Sequence, residues 1–188
     1  EGSDELLQGY LYFHKAPSVE EAAKDGLRLL KELHYFDVLR CDRTISGWGL
    51  DARVPFLDHR FTSYVLSLPL ETRRPKDGIE KFLIRKAFSG TKVLPEEILW
   101  RTKEAFSDGI FTSKKSLFHI IQEFVENRIT DSELANAATK FPINPPHTKE
   151  SYYFRTIFEE NFPNMGTLIP YFWMPRWLKK ILPEIKLE

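Results

Sequence analysis

Apolar residues recur along this chain at helical spacing, and the polar punctuation between them matches helix starts and stops. Near the beginning, Ser3 or Asp4 would cap a helix carrying Leu6, Leu7, Tyr10 and Leu11. Ser18-Val19-Glu20-Glu21 has the form of a capping box and opens a helix that should run to about residue 45, with Ala22, Leu27, Leu30, Leu33, Phe36 and Val38 on its faces. Gly47-Trp48-Gly49 breaks it. An irregular connection through Asp51-Ala52-Arg53-Val54-Pro55-Phe56-Leu57 follows, until Asp58 caps a helix through Phe61, Tyr64, Val65 and Leu66. Pro69, Pro75 and Gly78 mark a loop, residues 79–88 are amphipathic, and Pro95 starts a short helix ending near Trp100. Residues 116–128 form a further helix, Thr130-Asp131-Ser132-Glu133 is a second capping box, and Thr148 starts a helix bearing Tyr152, Tyr153, Phe154, Ile157 and Phe158. No long strand run, hairpin dipeptide or internal repeat interrupts this pattern, so the segment is predicted to be all-α.

Two loops stand out. Trp100-Arg101-Thr102-Lys103-Glu104-Ala105-Phe106-Ser107-Asp108-Gly109 mixes bulky apolar residues with charges and suits neither helix nor strand, a composition that favours a binding role. Residues 137–147 contain Pro142, Pro145 and Pro146 and read as a stiffened helix connection.

Composition narrows the function. The chain has 188 residues, 42% of them hydrophobic, enough for one domain with a sizeable core. Its 27 basic and 27 acidic residues cancel, which argues against general nucleic-acid binding. Cys41 is the single cysteine, so no internal disulfide forms; a buried thiol in a reducing compartment is expected, and the absence of an apolar run long enough to span a bilayer points to a soluble cytosolic protein without membrane attachment. The five histidines, His14, His34, His59, His119 and His147, show no metal-ligand spacing. The chain opens inside a dense motif without a methionine, and is expected to be a piece of something longer.

That opening motif, Glu1-Gly2-Ser3-Asp4-Glu5, gathers three carboxylates around a glycine and a hydroxyl. Gly2 can adopt backbone angles closed to other residues, so a strand-end-to-helix turn is expected there; the plainer account is that Asp4 and Glu5 only complement the helix dipole. The chemistry becomes specific through a resemblance. Together with Gly9-Tyr10-Leu11-Tyr12-Phe13-His14-Lys15-Ala16-Pro17, Phe36-Asp37-Val38-Leu39-Arg40, Ala52-Arg53-Val54-Pro55-Phe56-Leu57-Asp58, the charged loop from Trp100 to Gly109 and Thr148-Lys149-Glu150-Ser151-Tyr152-Tyr153, the motif resembles the synthetase domain of glutamine-dependent asparagine synthetases. The likeness covers about residues 1–177 and leaves a tail, residues 178–188.

The resemblance implies ATP-driven amidation of aspartate. The substrate's side-chain carboxylate attacks the α-phosphate, pyrophosphate leaves, and ammonia derived from glutamine displaces AMP from the β-aspartyl-AMP. It further implies that Glu1 supports formation and turnover of the acyl-adenylate, that Asp4 pairs with the α-ammonium of aspartate, that Gly2 and Ser3 lie on the nucleotide side, and that the cations Arg40 and Lys103 neutralise substrate and pyrophosphate, with Lys103 on pyrophosphate. Arg40 can also form an i,i−3 ion pair with Asp37. Arg53 and Asp58 are expected to fix the connection in which they lie. ATP and Mg²⁺ are the implied cofactors, the magnesium being held chiefly by phosphates and by carboxylates outside this segment.

The family's Ser-Gly-Gly-x-Asp-Ser pyrophosphate loop and its cysteine-dependent glutaminase domain are not found in these residues. The segment therefore reads as the helical C-terminal portion of an α/β synthetase domain of the ATP-pyrophosphatase type, inactive by itself, with apolar helix faces that a sheet would cover and with homodimer formation left open. A related amide- or lactam-forming synthetase and a non-catalytic helical interaction module are the competing expectations.

Overall fold

The computed structural model describes residues 1–104 and 116–177. The described residues contain ten α-helices and no strand; the only pairing of that kind among them is an isolated antiparallel bridge between Lys76 and Ile79. The chain divides into two compact units, Glu1–Lys103 with the segment beginning at Pro175, and Glu104–Met174. Ala105 to Gly109 of the charged loop, and the tail from Leu178, lie outside the described residues. No described helix is long and apolar enough to cross a membrane.

The first unit is built on α1 (Ser3–Leu6), α2 (Val19–Glu32), α3 (Asp37–Ser46), α4 (His59–Ser67), α5 (Phe82–Phe88) and α6 (Glu96–Leu99). Leu6, Leu7 and Val65 form its buried centre, flanked by Leu30, Phe56, Phe61, Leu83 and Ile84. Each such Leu contributes about 2 kcal/mol by leaving water. Gly26 sits mid-helix at a propensity cost because a Cβ there would come within 2.9 Å of the Glu5 carbonyl oxygen, so α1 and α2 need the hydrogen atom. Buried Asp25 accepts from Tyr12 Oη (2.8 Å) and Arg28 Nε (2.8 Å) and pairs with Arg176 Nε (3.1 Å), while Trp177 packs on Tyr12 and Phe13.

Several sequence expectations need correction. The helix predicted over residues 18–45 is two helices, because Leu33–Tyr35 tightens to a 3-10 turn and Phe36 leaves helical geometry (φ −126°, ψ −103°). The aromatic run His34, Tyr35 and Phe36, whose side chains lose rotamer freedom in a helix, is where the chain turns. Leu27 is exposed. Helix α1 stops at Leu6 and does not reach Tyr10 or Leu11; neither Ser3 nor Asp4 caps it, since the N-cap is Gly2 in the left-handed region (φ 88°) with no side-chain bond. Cys41 is half-buried on α3, a helix with no buried residue. The amphipathic stretch from Ile79 becomes helical only at Phe82, after Lys81 takes a left-handed conformation (φ 55°). The other boundaries agree with the pattern: Asp58 accepts from the backbone N–H groups of Arg60 (2.9 Å) and Phe61 (3.2 Å), and Ser18 Oγ accepts from Glu21 N (3.2 Å).

The second unit contains α7 (Leu117–Glu126), α8 (Asp131–Ala135), α9 (Ala137–Lys140) and α10 (Lys149–Asn161). The Thr130 capping box forms with Glu133, and Thr148 caps α10 reciprocally with Ser151. Ile129, Ala137, Phe141 and Tyr152 make its core. The stretch expected to be a connection thus starts as a helix and supplies two core residues.

Candidate functional site

The turn into α1 is set by close packing. A Cβ on Gly2 would collide with Leu57, Cγ lying 2.7 Å away, and the left-handed φ strains any other residue. This turn brings Glu1, Asp4 and Glu5 to different neighbours although they are adjacent in sequence.

Asp4 Oδ1 lies 3.2 Å from Lys81 Nζ and 3.6 Å from Lys103 Nζ. Two ammonium groups thus approach one carboxylate oxygen as ion pairs. The arrangement depends on Gly9, whose backbone runs so close that a Cβ would collide with the Asp4 carboxylate and sit 3.0 Å from Lys81 Cδ. Lys103 is also 5.4 Å from the centre of the Tyr10 ring. Arg85 anchors the start of the loop that carries Lys103, donating from Nη1 to the carbonyls of Leu99 (2.5 Å) and Arg101 (3.0 Å) and from Nε to that of Glu80 (3.0 Å).

A second chain of contacts starts at Glu5, which is 3% exposed. Tyr10 Oη is hydrogen-bonded to Glu5 Oε1 and, at 3.2 Å, to Asp37 Oδ2. Arg40 Nη2 donates to Asp37 Oδ1 (2.9 Å) and reaches Glu1 Oε1 at 3.5 Å. The i,i−3 ion pair and the approach to Glu1 therefore coexist. Burial pushes the Glu5 carboxyl up, opposed by its hydrogen bonds to Tyr10 and to its own backbone and assisted by repulsion from Asp4 and Asp37. Burial and the neighbouring carboxylates push the Tyr10 hydroxyl up as well.

Of the residues singled out from sequence, Glu1, Asp4, Arg40 and Lys103 come together in one unit. Gly2 serves the turn, and Ser3 lines a mainly apolar cleft of about 320 Å³ together with Phe56, Lys81, Ile84 and Leu94. A larger cleft of about 600 Å³, bordered by Thr72, Arg74, Lys76 and Lys86, contains none of them. Arg53 is exposed, and the connection is fixed by Asp58 through its cap. Lys81 and Gly9 were not foreseen, because their importance is a matter of through-space proximity to Asp4 that no periodicity marks. The Tyr10 hydroxyl was visible only as a member of a quoted motif, whereas Asp37 was foreseen as the i,i−3 partner of Arg40.

The profile of the asparagine synthase family matches residues 21–178. The chain belongs to that family. It is 60% identical over 186 residues to the asparagine synthetase [glutamine-hydrolyzing] of Gallus gallus, and 56% identical over the same length to those of Bos taurus and Homo sapiens, in each case with 99% of this chain aligned. It spans about a third of the length of these curated relatives, 33% in each case. The family profile starts at residue 21, after the Glu1 motif.

Proposed function

We propose that this chain supplies the aspartate and pyrophosphate side of a glutamine-dependent asparagine synthetase, as the helical C-terminal portion of an α/β domain of the ATP-pyrophosphatase type. The observation that carries the reading is the pairing of Asp4 with Lys81 and Lys103 beside the Glu1–Arg40 pair. Asp4 is an acceptor of the right charge for the α-ammonium of aspartate. When that ammonium takes over the Asp4 oxygen, Lys103 is released to face the departing pyrophosphate, where a compact cation stabilises charge that grows as the bond breaks. Arg40 holds Glu1 close to the reacting carboxyl, and Glu1 is suited to accept a proton from ammonia as the amide forms.

ATP supplies the activating phosphate. Magnesium, implied by that chemistry, finds no cluster of three or more His, Cys, Asp or Glu among the described residues, and Asp4, Asp37 and Glu1 are already paired with side-chain cations. This donor set does not fit a metal cage, and the roles above are assigned without one. Ammonia from glutamine would come from a domain outside these residues.

The test uses a chimera in which this chain replaces the corresponding third of the Gallus gallus relative, with pyrophosphate release followed in single turnover, with and without ammonia. Lys103→Ala should slow release by about 10²- to 10³-fold, the usual worth of one preorganised electrostatic contact. Glu1→Ala should leave ATP binding intact while adenylate formation or its capture by ammonia collapses. Near-normal turnover in either variant removes that residue from the scheme.

A further inference from the structure

The Tyr10 hydroxyl faces a proton-counting problem. It touches two carboxyl groups, Glu5 and Asp37, yet a phenol has a single proton to donate. If both acids were ionised, one contact would set two acceptors against each other. One further proton resolves it, and the surroundings decide where that proton sits. Asp37 is partly exposed and its other oxygen is paired with Arg40 at 2.9 Å. Glu5 is almost fully buried, and among the described residues no cation pairs with it.

The charged groups around Glu5 lead to the same assignment. On its own helix Asp4 adds repulsion, from α3 Asp37 does the same, and Lys103 lies 5.4 Å from the centre of the Tyr10 ring. From α2 the approach is made by Gly26 against the Glu5 backbone, and the buried acid of that helix, Asp25, is committed to Tyr12, Arg28 and Arg176. Burial raises the Glu5 carboxyl against the lowering effect of its hydrogen bonds.

We propose that Glu5 is a positioning residue that works as a neutral carboxylic acid: it donates to the Tyr10 hydroxyl, which turns the Tyr10 proton onto Asp37, and Asp37 thereby holds Arg40 beside Glu1. The role assigned to Glu1 rests on the function proposed above; the hydrogen-bond order does not. Ionisation of Glu5 reverses the Tyr10 hydroxyl, withdraws its proton from Asp37 and loosens Arg40.

Carboxyl-carbon NMR of this chain labelled at glutamate and aspartate tests the order of donors directly. The Glu5 signal, identified by its loss in Glu5→Gln, should still be that of the acid at about pH 7, where an ordinary glutamate is ionised. The Asp37 signal should move as Glu5 titrates in the unsubstituted chain and not in Glu5→Gln. An ionised Glu5 at that pH, or an Asp37 signal indifferent to it, overturns the proposal. In the chimera, Glu5→Ala and Tyr10→Phe should each lower kcat about tenfold with little change in the KM for ATP, and the isosteric Glu5→Gln should restore what Glu5→Ala loses and flatten the alkaline fall of kcat. Equal damage from Gln and Ala overturns the neutral-acid role. A chimera with no synthetase activity counts against the proposed function instead, and the NMR titration still decides the donor order.

Discussion

Two charged centres, one in each unit, use charge in opposite ways. In the second, Arg155 is buried and locally satisfied: its Nε and Nη2 lie 3.0 Å from Glu159 Oε1, one turn along α10, and Nη1 donates to the carbonyls of Ile143 (2.9 Å) and Asn144 (3.3 Å). In the first, the paired groups come from distant positions: Glu1 with Arg40, and Asp4 with Lys81 and Lys103. A cation whose partners are its helical neighbour and a nearby loop fastens that loop. A carboxylate shared by two lysines from separate elements has charge that a ligand can redistribute. Both units mix local and distant ion pairs, Arg28 with Asp25 in the first and Lys149 with Glu126 and Asp131 in the second, so what sets these two centres apart is the single Asp4 carboxylate shared by two lysines.

The sharpest way to break this comparison is Arg155→Ala. It should destabilise the second unit by roughly 3 kcal/mol, since it orphans two carbonyls and a carboxylate around a side chain that is 6% exposed. Hydrogen exchange over α7 to α10 would read this as faster opening, with the NMR signals of Lys81 and Lys103 unchanged. A loss under about 1 kcal/mol would mean that Arg155 is not a fastener.

Gly9→Ala comes next. Its Cβ would meet the Asp4 carboxylate, so overpacking should cost about 2 kcal/mol in urea unfolding of the first unit. The Lys81 ammonium signal should shift as the Asp4 pair is displaced. Unchanged stability and spectra would show that Asp4 tolerates a different position, contrary to a site set by close approach.

The smallest effect is expected at Glu80, next to Lys81, where His14 Nε2 donates to Oε1 at 2.6 Å. Burial alone would raise this carboxyl, but the hydrogen bonds from His14 and from its own backbone outweigh it, and the net direction is down. A lowered carboxyl gives stability that is present above the unfolded-state value and is lost as pH falls through the folded-state value. Acid titration of urea stability should therefore show a fall on the acid side that is reduced in His14→Ala. An equally steep fall in that variant would place the acid sensitivity elsewhere.

Much of the helical plan was legible because it rests on local rules. Asp58, Thr130 and Thr148 cap helices as their spacing indicates, since cap and recipient N–H are two or three residues apart. The break at Phe36 was not legible: the apolar period continues through it, and only the path that brings Asp37 to Tyr10 distinguishes one helix from two. For the same reason Cys41 reads as buried from its type but lies on a helix that buries none of its residues.

The sequence by itself determined the helical class and most of the caps, and its motifs singled out Glu1, Asp4, Arg40 and Lys103 as candidates for one site. Tertiary structure alone decided which cation meets which carboxylate, the role of Gly9 and Lys81, and the order Glu5, Tyr10, Asp37, Arg40, Glu1. Local hydrogen bonding and periodicity are written in short spacings, whereas charge pairing and burial depend on the chain's path through space, which residues far apart in sequence share only after folding.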